Sequence, residues 1–314
     1  IEEKMNKVLY IILISLFSLT VISCAKKSDS SSTTTSSVSF VAVGSSGTLI
    51  TSSDGTSWTS RTSGTSNTLK GVTYGNSTFV TVGGNGTILT SSDGTSWTSR
   101  TSETTEDLYR VTYANSTFVS VGDSGTILTS SDGTSWTSRT SGTSYNLDGV
   151  TYANSIFVIV GANGTILTSS DGTSWDNKTS GTTLYLSGVT YGNSKFVAVG
   201  GYGYDNGTIL TSSDGTTWTT NTSGATYAYW GITYGNSTFV TVGPSGSIFT
   251  SSDGTTWTSR TSGITNHMWG VTYGNNTFVT VSYGGDILTS SDGISWTSRT
   301  SGTTNALYDV TYKE

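Results

Sequence analysis

From Phe40 onward, apolar residues come in short alternating runs such as Phe40-Val41-Ala42-Val43, Leu69 to Tyr74 and Phe79 to Val82. Gly, Asn, Asp and Ser separate them. Short β-branched runs punctuated this way predict strands in tight antiparallel hairpins, because Asn-Gly, Asp-Gly and Gly-Gly supply the positive φ such turns need. One unit predicts four strands: Leu69 to Tyr74, Thr78 to Val82, Thr87 to Ser91 and Trp97 to Thr101. The first 37 residues break the pattern. Val8 to Thr20 is a single apolar run behind Lys4 and Lys7, and Ala25 to Ser37 has no apolar residue large enough to pack.

The strand pattern repeats. Ser-Ser-Asp-Gly-X-Ser/Thr-Trp occurs seven times, with its aspartates at Asp54, Asp93, Asp132, Asp171, Asp214, Asp253 and Asp292. The interval is 39 residues except for one of 43, where Gly200 to Gly207 carries an insertion. A four-stranded meander this small leaves both faces apolar and exposed. Radial stacking buries each face against a neighbour, which is a propeller blade. The N-terminal copy lacks a first strand and the C-terminus has one to spare, Leu307 to Tyr312. The predicted fold is therefore all-β: a seven-bladed β-propeller of four-stranded antiparallel blades, with the C-terminal strand completing the N-terminal blade and sealing the ring.

The Ser-X-Asp-Gly-X-X-Trp turn resembles the Asp-box (BNR-like) repeat of sialidase-type propellers and of the photosystem II assembly factor family. The resemblance covers residues 38–314. The usual motif has one residue between Asp and Gly; here the two are adjacent. It implies that the aspartates are structural, accepting backbone N–H bonds inside the hairpin, with each Trp packed beside the next blade. It also raises two activities, a membrane-complex assembly factor and a sialidase-like glycoside hydrolase. A sialidase grips its substrate with three arginines. Here Arg61, Arg100, Arg139, Arg260 and Arg299 all lie in Trp-Thr-Ser-Arg-Thr on the predicted outermost strand, and Arg110 alone is off-pattern. Three cannot converge on the channel, so no enzyme activity is expected.

The N-terminus reads as a secretory signal: a charged start, then an apolar run too short to span a membrane comfortably. Val21-Ile22-Ser23-Cys24 resembles a bacterial lipobox. The implied organisation is a signal peptide over 1–23, a lipidated Cys24 with a flexible Ser/Thr tether over 24–37, and the propeller over 38–314. The implied location is the bacterial cell envelope, with the membrane as a partner through the lipid, on the outer membrane where the organism has one. Charge narrows the remaining partners. The chain carries a net −6. Four basic and three acidic residues fall in the first 37, so the repeat region is more acidic still. It repels phosphate backbones, and no nucleic acid partner is expected. One His and one Cys in the whole chain give no basis for a zinc site or a disulfide; neither metal nor cofactor is expected, and the propeller should be a monomer.

Comparing the seven copies with one another locates a candidate site. Turns between first and second strands, and between third and fourth, are nearly invariant; the other two connections vary, and they share the opposite face. The blade-to-blade quartets run from Asn67-Thr68-Leu69-Lys70 to Asn305-Ala306-Leu307-Tyr308. Their third residue (Leu, Tyr or Met) should be core. Their fourth should ring the channel mouth: Lys70, Tyr109, Asp148, Ser187, Trp230, Trp269 and Tyr308. Aromatic residues clustered among Ser and Thr mark a binding face. The candidate ligand contacts are Trp230, Trp269, Tyr308, Tyr109, Tyr229, His267, Lys70 and Asp148, and the expected ligand is a glycan or a protein.

Overall fold

A computed structural model describes residues 37–202, 205–221 and 227–313. Cys24, the signal segment and nearly all of the tether lie outside the described residues. Among those described, 28 strands form seven four-stranded antiparallel sheets. We number the blades 1 to 7 in chain order. In blade 2 the strands are Leu69–Gly75, Thr78–Gly83, Ile88–Ser91 and Thr98–Arg100.

Blade 1 closes as the sequence predicts. Strand Leu307–Tyr312 pairs antiparallel with Phe40–Gly44, Tyr312 opposite Phe40 and Val310 opposite Ala42. Gly274 of blade 7 makes room for this join: a Cβ there would sit 2.0 Å from the Tyr312 ring.

The core is divided among the blade interfaces. The two-residue period of a strand sends alternate side chains to opposite faces. Phe79 therefore joins Val41 and Val43 of blade 1 in one cluster, while Val80 and Val82 join Phe118 and Leu128 of blade 3 in another. The same arrangement recurs round the ring, and one cluster spans blades 7 and 1, with Val279 and Val281 against Phe40, Leu307 and Val310. The third quartet residues are all core: Leu69, Leu108, Leu147, Leu186, Met268 and Leu307 are 0% exposed and Tyr229 1%.

The seven Asp-Gly turns are alike. In blade 2, Asp93 Oδ1 accepts the backbone N–H groups of Thr95 (2.7 Å) and Ser96 (2.9 Å), and the Ser91 hydroxyl accepts the Gly94 N–H at 2.8 Å. These bonds hold the Asp93 carboxyl well below the usual range, the Ser96 N–H contributing most. Asp54, Asp132, Asp171, Asp214, Asp253 and Asp292 are held low in the same way. The tryptophans sit toward the preceding blade rather than the next: Trp97 packs on the blade 1–blade 2 cluster. Gly94 explains this, since its backbone abuts Val38, 2.7 Å from a Cβ built there, so the chain already leans on blade 1 when it reaches the indole. Six of the seven indoles donate to the turn glycine carbonyl, as Trp97 does to Gly94 at 3.1 Å; the Trp175 N–H has no such partner.

Candidate functional site

Each quartet's fourth residue follows a buried third residue at the start of the innermost strand, or in blade 6 immediately before it, so its side chain is delivered to the channel. All seven line one cavity of about 1020 Å³ at the channel mouth. This is the size of a ligand pocket. Its two halves differ in chemistry.

One half is aromatic. Trp230 and Trp269 stack at 4.2 Å between centroids and 18° between planes, and Tyr308 meets Trp269 edge-on at 5.5 Å. The sequence places these three side by side on one arc of the rim. The stacked pair covers one face of each indole, because equivalent positions on adjacent blades lie within stacking distance. The Trp269 indole N–H is buried with no hydrogen-bond partner among the described residues.

The other half is polar and charged. Lys70 Nζ pairs with Asp107 at 2.8 Å and lies 4.3 Å over the Tyr109 ring. The Tyr109 hydroxyl donates to Asp123 at 2.5 Å. The Tyr185 hydroxyl donates to Asp148. Burial pushes Asp148 up to about 6, partly offset by that hydrogen bond. Burial also raises the Tyr109 and Tyr185 phenols, helped by the neighbouring carboxylates.

Below the mouth lies a small cavity of about 120 Å³. Arg110 and Asp309 meet there, Nη1 to Oδ2 3.7 Å, with the Arg110 Nη1–H also donating to the Lys70 carbonyl at 2.8 Å and the Val72 N–H donating to Asp309 at 3.0 Å. Burial raises the Asp309 carboxyl, and Arg110 opposes that. The other five copies carry glycine at this position: Gly71, Gly149, Gly188, Gly231 and Gly270. The bore is too narrow for more; a Cβ on Gly71 would come 2.7 Å from the Tyr109 carbonyl. Two copies depart from glycine, and they carry opposite charges that meet. Comparing copies two residues beyond the core Leu would have found this pair.

Two candidates are corrected. Tyr229 does not face the cavity: it is 1% exposed, edge-on to Phe249 at 5.4 Å and near Trp257. It occupies the core position that Leu fills in five other copies. His267 is absent from the cavity lining. Its Nδ1 accepts the Ser245 backbone N–H at 3.0 Å, the role of Asp107 toward Asn85 and of Asn146 toward Ser124. It secures a turn and flanks Trp230 at 5.3 Å. Asp107, Arg110 and Tyr185 line the cavity and were not among the candidates. The pattern-following arginines lie at the outermost strands, where Arg100 Nε donates to Thr90 at 2.8 Å.

No protein-family model matches the chain, and no curated protein does. Solved structures do. The chain shares its fold with YCF48. A structure titled "YCF48 bound to D1 peptide" superposes with a TM-score of 0.63 at 16% identity, over 81% of this chain and 92% of that one. YCF48 from Cyanidioschyzon merolae gives 0.60 at 15% identity, over 76% and 88%. A chain of a nidogen/laminin complex gives 0.56 at 11%, over 87% and 97%. Such identities carry the fold and no more.

Proposed function

We propose that this chain is a non-catalytic binding module that takes a protein segment at the mouth of its propeller channel. The supporting observation is the cavity of about 1020 Å³, built from the positions at which otherwise near-identical copies differ. Aromatic residues and a few fixed charges lining a concave site are the usual makings of recognition. The surround favours a protein over a small molecule. Tyr145, Tyr227 and Tyr283, three of the four exposed large apolar side chains among the described residues, belong to the variable connections of the same face. The likeness to YCF48, which carries a D1 peptide in one structure, supports the same choice. It also favours a narrower version, an assembly factor for a membrane protein complex. Val21-Ile22-Ser23-Cys24 supports placing the module on the cell envelope through a lipid on Cys24.

The test is a parallel screen of the chain against a peptide library and a glycan array. Peptide binding that Trp230→Ala and Trp269→Ala weaken supports the proposal. Binding confined to glycans replaces the ligand class, and binding unaffected by both substitutions removes the site.

A further inference from the structure

We propose that Asp148 seats a positive charge of the ligand, the ammonium or guanidinium of a lysine or arginine in the bound segment, with its alkyl stem along the aromatic half of the cavity. This rests on the reading of the channel mouth as a peptide site. Among the described residues, the cations of the mouth are already engaged: Lys70 by Asp107 and the Tyr109 ring, Arg110 by the Lys70 carbonyl and Asp309. Among the described residues Asp148 forms no ion pair within contact distance. Its partner is the neutral Tyr185 hydroxyl, and it lines the cavity. A half-buried carboxylate with no cation in direct contact is unfavourable, and a cation that enters beside it relieves that cost.

The surroundings agree. The groups facing Asp148 are Tyr185 from blade 5, Tyr109, Arg110 and Asp123 from blade 3, and Lys70 from blade 2. The two cations among them lower its carboxyl but do not overcome burial, which leaves it near 6. One rim position separates Asp148 from Trp230, and it is Ser187, the least bulky of the seven. A lysine stem reaching Asp148 can therefore lie against the tryptophan side, where aromatic rings also attract cations. An acidic segment would find both cations taken and a chain of net charge −6.

The test uses fluorescein-labelled hexapeptide pools, each with one fixed residue (Lys, Arg, Gln or Glu) among random neighbours, read by anisotropy against the full chain. The Lys and Arg pools should bind about tenfold or more tighter than the Gln pool, the worth of a charge-assisted hydrogen bond. Asp148→Asn should erase that preference. Tyr185→Phe, which keeps the carboxylate, should retain it. On the unmodified chain the preference should shrink between about pH 7.5 and pH 5 as the carboxylate takes a proton, a measurement that stands whether or not the Asn variant folds. A preference for the Glu pool, or a Lys preference that survives both Asp148→Asn and acidification, overturns the subsite and leaves peptide binding intact. If no pool binds, peptide binding itself fails and the subsite with it.

Discussion

Removing residues 306–314 should cost the propeller most of its stability, because these residues close the ring. The strand Leu307–Tyr312 buries Leu307 (0% exposed) and Val310 (4%) between blades 7 and 1. At about 1.5–3 kcal/mol for each fully buried side chain, the pair contributes roughly 3–6 kcal/mol. The Tyr312 ring lies 4.9 Å from Phe40, and such an aromatic contact adds about 0.5–1.5 kcal/mol. Deletion also strips Arg110 of Asp309 and leaves Phe40–Gly44 as an open edge. The total approaches the roughly 5–15 kcal/mol that holds a typical domain together. A milder probe is Leu307→Ala, worth about 2–5 kcal/mol. Circular dichroism melting with parallel light scattering reads both. The deletion should abolish a cooperative transition or aggregate well below the parent melting temperature. A truncated chain that melts within about 2 °C of the parent, roughly the shift expected from only 1 kcal/mol in a protein of this size, would mean that the last strand does not close the ring.

The plug of the bore should behave as a coupled pair. Arg110→Gly should destabilise by about 3 kcal/mol, since it strands a buried carboxylate, and adding Asp309→Gly should recover much of that loss by restoring the glycine of the other copies; additive losses in denaturant melts would refute the coupling. Stability should peak in mild acid. Burial raises Asp148 to about 6, so stability should rise as pH falls from about 7 to 5 while it gains a proton; Asp309, also raised by burial, acts in the same direction, and Asp148→Asn should raise the melting temperature at neutral pH. Below about pH 4 the order reverses, because the unfolded chain's aspartates take up protons while the seven depressed turn aspartates of the folded state stay ionised; a melting temperature flat from pH 7 to 2 would contradict both halves. At the N-terminus, Cys24→Ser should release the protein from the membrane fraction or block its processing, and unchanged fractionation and processing would remove the lipid anchor.

The ring was legible because its determinants are local and repeated. Each Asp-Gly turn, each Phe-Val-X-Val strand and the surplus strand at Leu307 can be recognised without knowing what they touch. The positions ringing the mouth were legible for the same reason, since seven registered copies make position four of each quartet equivalent. What those side chains do to one another was not. Whether Trp230 and Trp269 face a ligand or each other depends on blade spacing and rotamer. Arg110 and Asp309 belong to blades 3 and 1, and their meeting across Gly71 needs the curvature of the ring. Tyr229 shows the opposite failure: its aromatic character suggested the site, although its register with five leucines and one methionine already placed it in the core.

The channel mouth is tested most directly by titration calorimetry of a peptide recovered from the library screen, on the parent chain, Trp230→Ala and Trp269→Ala. Loss of a buried aromatic anchor costs about 2 kcal/mol or more, so each variant should bind about thirtyfold more weakly while melting as a folded protein. If both variants bind that peptide as tightly as the parent, the tryptophan pair is packing alone and the ligand sits elsewhere.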